Sequence, residues 1–194
     1  MEIEIRPALA QEAAPLAALM NMAGEGIPLY LWTRMAEPGQ DPMDVGAGRV
    51  RRDQGGFSYR NTFVAEVDEA MGGMLLSYRL DDPYEVGSLD EYPEVVRPLV
   101  ELEAMAPGSW YINAVAVSPD FRRRGVGTAL MNYAEELARD AGTAEISLIV
   151  ADENRGAVDL YQKLGFQRRG SRPVVGFPGF AHAGNWSLLV KSMD

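Results

Sequence analysis

The sequence contains no cysteine and only one histidine, His182, among its 194 residues. The absence of cysteine excludes disulfides, thiolate zinc sites and a cysteine nucleophile. A single histidine cannot build a histidine-rich metal site, and no group of residues suggests a metal. His182 falls in the glycine-rich stretch GFPGFAHAG, where we interpret it as an incidental loop residue rather than a catalytic base.

Cations are also scarce, because 18 Lys and Arg stand against 28 Asp and Glu, for a net charge of −10. Nucleic acids and anionic membranes require clustered cations, so neither is expected as a partner. No run approaches the roughly 18 apolar residues of a membrane span. The first six residues, MEIEIR, are charged from the second position, unlike a secretory signal. We therefore expect a cytoplasmic protein.

The length and the 47% hydrophobic content fit one domain over residues 1–194, with a helical insertion at about 81–108. Hydrophobic periodicity predicts a mixed α/β fold around one sheet. The predicted strands are 2–6, 61–67, 72–80, 111–117, 144–150, 166–175 and 185–191. The predicted helices are 10–23, 28–35, 41–53, 92–104, 125–141 and 154–164.

The most informative segment joins the strand at 111–117 to the long helix that follows. It reads SPDFRRRGVGT, so three arginines precede two glycines at the helix start. The first amides of a helix lack internal partners and lie at the positive end of its dipole, and glycine lets an anion approach closely. The segment therefore predicts a phosphate site, although a solvated basic turn would have the same composition. Neither a dinucleotide fingerprint nor a P-loop fits, since Leu130 takes the third glycine position and no Gly-Lys-Ser/Thr follows.

This segment resembles the acetyl-CoA loop of the GNAT superfamily of acyltransferases, whose pattern is Gln/Arg-x-x-Gly-x-Gly/Ala. Arg122, Gly125 and Gly127 fill its fixed positions, and a second family block is present as NRGAVDLYQKLGF at 154–166. The resemblance extends over about residues 62–190, whereas the first sixty residues fit loosely. It implies a mostly antiparallel central sheet with a splay between two central strands and helices on its flanks.

The resemblance also implies a binding site for acetyl-CoA as acyl donor. Strand residues 115–117 would pair with the pantetheine arm, loop amides would hold the pyrophosphate, and the arginines would reach outer phosphates. Asn154 would bind the arm, and Tyr161 would protonate the coenzyme sulfur as general acid, although Tyr161 also fits a core aromatic. The implied cofactor-binding residues are Val115, Ala116, Val117, Arg122, Arg123, Arg124, Gly125, Val126, Gly127, Thr128, Asn154 and Tyr161.

The sequence does not identify the general base. Family members often carry Glu or Asp on the strand before the loop, but this chain has Asn113, which cannot act as a base. Glu101, Glu103 and Asp120 are candidates that the sequence does not rank, and a water relay is an equal alternative. Residues 81–104 hold eight acidic side chains and one arginine. They either steer a cationic acceptor or form a solvated insertion.

We therefore expect an acetyl-CoA-dependent N-acetyltransferase that transfers acetyl directly to a primary amine of a small molecule or peptide. The absence of cysteine fits direct transfer in a ternary complex. The alternative from another class is a non-catalytic acyl-CoA-binding sensor or interaction module. A hydroxyl acceptor, a longer acyl group and a homodimer also stay open.

Overall fold

The computed structural model describes residues 2–180 and 183–193, so His182 lies outside the described residues. Seven strands form one sheet in the order β1-β2-β3-β4-β5-β7-β6. The strands are β1 (Ile3–Pro7), β2 (Thr62–Val67), β3 (Ala70–Arg79), β4 (Trp110–Val117), β5 (Glu145–Ala151), β6 (Gln167–Pro173) and β7 (Asn185–Ser192). The helices are α1 (Ala13–Ala23), α2 (Ile27–Met35), α3 (Pro42–Val50), α4 (Arg97–Glu103), α5 (Val126–Asp140) and α6 (Arg155–Lys163).

The chain divides into two compact units. The first consists of the residues up to Tyr78 together with Ala114–Ala134, and the second of Arg79–Asn113 together with the residues from Glu135 onward. The predicted single domain over 1–194 stays a prediction, as does the splay between two central strands.

In the first unit, β1 and β2 run antiparallel with Ile3 opposite Val67, and β2 and β3 form an antiparallel pair. Helices α1, α2 and α3 cover one face of these strands. Their shared core includes Leu16, Met20 and Trp32, each at most 2% exposed.

In the second unit, β4 and β5 run parallel, with registered pairs from Trp110 opposite Ile146 to Ile112 opposite Leu148. β7 lies between β5 and β6 and is antiparallel to both. Helix α4 packs against β6 and β7. A Cβ at Gly170 on β6 would lie 2.6 Å from Cε of Met105, so glycine lets the segment after α4 approach this strand.

The predicted mixed α/β fold with a mostly antiparallel sheet and flanking helices is confirmed. The largest difference concerns the helix predicted near 92–104, which begins only at Arg97 because prolines interrupt its start. Pro98 sits in the first turn, where a missing N–H costs nothing, whereas Pro93 precedes the helix. No helix of the described residues is long and apolar enough to cross a membrane.

Candidate functional site

The loop before α5 has an unusual backbone. Arg123 adopts a left-handed conformation with φ of 58°, and Gly125 another with φ of 86°. Left-handed geometry is strained for a residue with a Cβ, and such residues cluster at functional sites. The first intrahelical bond of α5 runs from Ala129 N to Gly125 O at 2.9 Å. The amides of residues 125–128 therefore lie at the helix terminus, before the hydrogen-bond ladder begins.

Strand β3 of the same unit fixes the start of this loop. The amide of Ser118 donates to the Gly72 carbonyl at 2.9 Å, and its hydroxyl donates to the Met71 carbonyl at 3.1 Å. A Cβ at Gly73 would lie 2.6 Å from the Ala116 carbonyl oxygen and 3.3 Å from Cγ1 of Val126. Only glycine permits this close approach, so the first turn of α5 packs directly on β3.

The three loop arginines are exposed. The Arg124 guanidinium lies 5.7 Å from the Phe121 ring centroid, and an Arg122 nitrogen lies 3.5 Å from the Met22 sulfur. Within residues 2–180 and 183–193, none of the three arginines forms an ion pair. The loop thus combines the amides of a helix start with three arginines that have no ion pair in the described part of the chain, a combination that suits an anion.

The other coenzyme-binding residues predicted in the first unit differ in burial. Ala116 belongs to the core, whereas Val115 and Val117 are only partly buried. Val126 is buried, and Thr128 is exposed.

In the second unit, the side chain of Asn154 caps α6 by accepting a hydrogen bond from the Ala157 amide at 3.3 Å. Tyr161 is 8% exposed, and its ring centroid lies 6.0 Å from that of Phe166. Burial raises the pKa of the Tyr161 phenol to about 12. Among the described residues its hydroxyl has no hydrogen-bond partner. The phenol is therefore a protonated donor whose hydroxyl is not engaged by this part of the chain.

The structure separates the three carboxylates that the sequence did not rank. Asp120 is exposed in the turn before the arginines, and Glu101 lies 3.5 Å from Arg172 in an ion pair. Glu103 accepts a hydrogen bond from the Tyr84 hydroxyl at 2.5 Å and another from the Tyr111 hydroxyl. Burial raises the pKa of the Glu103 carboxyl, although both tyrosine hydrogen bonds act in the opposite direction.

Sequence reasoning missed the two tyrosines that hold Glu103. Tyr84 lies in the irregular stretch after β3, where no periodicity marks a residue, and Tyr111 is buried on β4 although it is out of phase with the buried Ile112, Ala114 and Ala116. Their only sequence signal is that one tyrosine precedes α4 and another follows it.

Residues 30–166, well over half of the chain, match the acetyltransferase (GNAT) family. The chain belongs to this family. The match spans the arginine loop and the block that contains Asn154 and Tyr161, so the resemblance read from those motifs is confirmed.

Similar curated proteins include an uncharacterized N-acetyltransferase of Methanocaldococcus jannaschii, 47% identical over 58 residues. A thialysine N-epsilon-acetyltransferase of Bos taurus is 37% identical over 57 residues. These matches cover 30% and 29% of this chain, and 26% and 34% of the two relatives, respectively. The aligned segment therefore spans only about a quarter to a third of the length of each relative.

Solved structures resemble the chain over nearly its whole length. A polyamine N acetyltransferase of Drosophila melanogaster gives a TM-score of 0.69 at 17% identity, over 98% of this chain and 100% of that one. An N-acetyltransferase of Staphylococcus aureus gives 0.61 at 19% identity, over 97% and 100%. At these identities the likeness establishes the fold alone.

Proposed function

We propose that this protein is an acetyl-CoA-dependent N-acetyltransferase that transfers acetyl directly to a primary amine. The observation that carries the proposal is the arginine loop in a chain of the GNAT family. Two left-handed residues, a helix start and three arginines without an ion pair among the described residues support an anion site in a strongly acidic protein. A coenzyme with a diphosphate is the acyl donor that such a loop suits.

The proposed donor contacts follow from the chemistry of each group. The amides of residues 123–128 bind the pyrophosphate, and the arginines at 122–124 reach its outer charges. Backbone groups of residues 115–117 pair with the pantetheine arm. Asn154 binds the arm. No described group of three or more His, Cys, Asp or Glu side chains is arranged to hold a metal ion.

Tyr161 is proposed as the general acid that protonates the departing coenzyme sulfur. A thiol in water has a pKa near 8.5, so donation from a phenol at about 12 is uphill by roughly 5 kcal/mol. Burial of the sulfur raises the thiol pKa and reduces this difference. The role therefore requires the thiolate to form in a site that is shielded from water. Tyr161 itself is buried.

An amine acceptor is supported by the relatives rather than by the loop. The Bos taurus relative is named for acetylating the epsilon nitrogen of thialysine. The local match covers only part of either chain, so the acceptor of this protein is left as a primary amine of a small molecule or peptide. A homodimer stays a prediction.

The test measures coenzyme release. Purified protein, acetyl-CoA and a panel of primary amines are incubated, and free thiol is followed alongside the acetylated amine by mass spectrometry. We expect amine-dependent thiol release with one product per thiol, and calorimetry should detect binding of both free and acetylated coenzyme. The absence of heat with either form would refute the proposal.

A second candidate is a non-catalytic acyl-CoA-binding module. Asn113 favours it, because this position of β4 lacks the carboxylate that relatives often carry there. Tight coenzyme binding with no product from any amine would support this candidate over the enzyme.

A further inference from the structure

Glu103, the last residue of α4, lies beside two tyrosines. Two phenol hydroxyls, from Tyr84 and Tyr111, donate to it. Tyr111 is 4% exposed, whereas Glu103 is only partly buried. The two hydroxyls thus fix the position of the carboxylate, while part of the Glu103 side chain is still exposed to solvent.

No cation compensates this carboxylate within the described residues. The charged side chains of β5, β6 and β7, against which α4 packs, all pair elsewhere, and β4 carries none. On α4 itself, Arg97 pairs with Asp90 at 3.5 Å. The pairs on the strands are Glu145–Arg169, Asp152–Arg168, Glu101–Arg172 and Glu135–Lys191.

A partly buried charge without a counterion is unfavourable for folding, and such groups are concentrated at functional sites. A cationic ligand would supply the missing positive charge. In an N-acetyltransferase the acceptor itself arrives as a cation, because a primary amine with a pKa near 10.4 is neutral in only about one molecule in 2,500 at pH 7.

We propose that Glu103 is the general base that binds and deprotonates the acceptor ammonium, with its carboxylate positioned by the hydroxyls of Tyr84 and Tyr111. This role rests on the proposed N-acetyltransferase function. It assigns to the insertion the task for which Asn113 is unsuited, and it selects acceptors that carry a positive charge.

The proton and electron balance is complete without a further reactant. Glu103 takes one proton from the ammonium group, and the nitrogen lone pair attacks the thioester carbonyl. The C–N bond forms and the C–S bond breaks, with the bonding pair leaving on sulfur. Tyr161 gives its proton to the sulfur and recovers one, through water, from the new amide nitrogen. Glu103 releases its proton to solvent.

The test compares Glu103→Gln with wild type in the rate of amine acetylation between pH 6 and pH 10. At pH 7 we expect kcat/KM for the amine to fall by roughly 10² to 10³. The deficit should shrink toward pH 10, where water deprotonates the amine. Coenzyme affinity should not change. Glu101→Gln, on the same helix but paired with Arg172, is the matched control and should stay within about twofold of wild type.

A second variant tests the positioning by the tyrosines. The Tyr84 hydroxyl stabilises the ionised carboxylate, so Tyr84→Phe should move the acidic limb of the wild-type pH profile to higher pH. A merely structural role of the cluster would lower the rate without moving that limb.

A deficit in Glu103→Gln that is constant from pH 6 to pH 10, or full activity of that variant, would overturn the role of Glu103 while leaving the enzyme proposal intact. Wild-type protein that binds coenzyme yet acetylates no amine would instead overturn the proposed function, and the base role with it.

Discussion

The arginine loop of the first unit and the Glu103 cluster of the second carry opposite charges that the described protein does not compensate. Three exposed guanidinium groups crowd the loop, where the backbone is held in left-handed turns. A single partly buried carboxylate occupies the cluster, where two tyrosines hold it. The loop presents backbone amides and exposed charged side chains, whereas the cluster consists of side chains that are partly or fully buried.

This difference separates binding from chemistry. Guanidinium groups stay charged at all accessible pH values, so the loop can hold an anion but cannot exchange protons near neutrality. Burial shifts the pKa values of both Glu103 and Tyr161 upward, which suits groups that accept or donate protons. Variants in the loop should therefore change affinity, and variants of the buried groups should change rate.

Among the variants that test this separation of affinity from rate, we expect the largest effect for Tyr161→Phe. Loss of the proton donor should lower kcat by roughly 10² to 10⁴, with coenzyme affinity unchanged. Because the pKa of Tyr161 is about 12, the deficit should be uniform from pH 6 to pH 10. Steady-state kinetics and calorimetry measure the two quantities.

Tyr59→Phe is the control for Tyr161→Phe. It also removes a hydroxyl, one that donates to Asp53 at 2.6 Å, but at a position with no proposed catalytic role. An unchanged rate in Tyr161→Phe at every pH would remove Tyr161 as the acid.

Gly125→Val should weaken coenzyme binding by more than tenfold and leave the chemistry of bound substrate intact. A β-branched side chain at φ of 86° strains the loop and crowds the space where the pyrophosphate is proposed to bind. Titration calorimetry measures the affinity, and single-turnover kinetics at saturating coenzyme measures the rate.

Gly39→Val separates strain from crowding, since Gly39 has φ of 84° and, like Gly125, open space where a Cβ would stand. Both variants should lose stability of the order of 1 kcal/mol, but only the loop variant should lose affinity. Equal coenzyme affinity in both would refute the placement of the pyrophosphate.

The smallest effect concerns stability against pH, where Glu12 and Glu103 should act with opposite signs. The Arg6 hydrogen bonds hold the pKa of Glu12 below its ordinary value of 4.5. Its contribution is therefore present above pH 4.5 and lost as the pH falls through the folded-state pKa. Glu12→Gln should cost about 1 kcal/mol at pH 7.

The pKa of Glu103 is raised, so its charge opposes folding once the pH rises through the folded-state value. Glu103→Gln should then be more stable than wild type at pH 7 and lose that advantage below pH 4.5. Urea unfolding midpoints between pH 4 and pH 7 measure both variants. A stability loss in Glu103→Gln at pH 7 would mean that the tyrosine hydrogen bonds outweigh the cost of burial.

Local patterns predicted most of the elements. The apolar periodicity after Gly125 marked α5, and the alternation of charged and apolar residues at 2–6 marked β1. The helix predicted over 92–104 began too early, because Pro93 and Pro98 favour a helix that starts only at Arg97. The sequence could not rank Glu103 above Glu101, since two carboxylates on one short helix differ only in what packs against each.

By itself, the sequence determined the family and predicted an anion-binding loop, because helix starts, glycine turns and arginine charge depend on neighbours in the chain. Only the tertiary structure decided which of the two α4 carboxylates has no ion pair among the described residues, and which tyrosine is buried with a raised pKa. Those properties depend on desolvation and on hydrogen-bond partners. Tyr84 lies 19 residues before Glu103, and Tyr111 lies on the strand that follows α4. Burial and pairing are set by packing, and no local pattern encodes them.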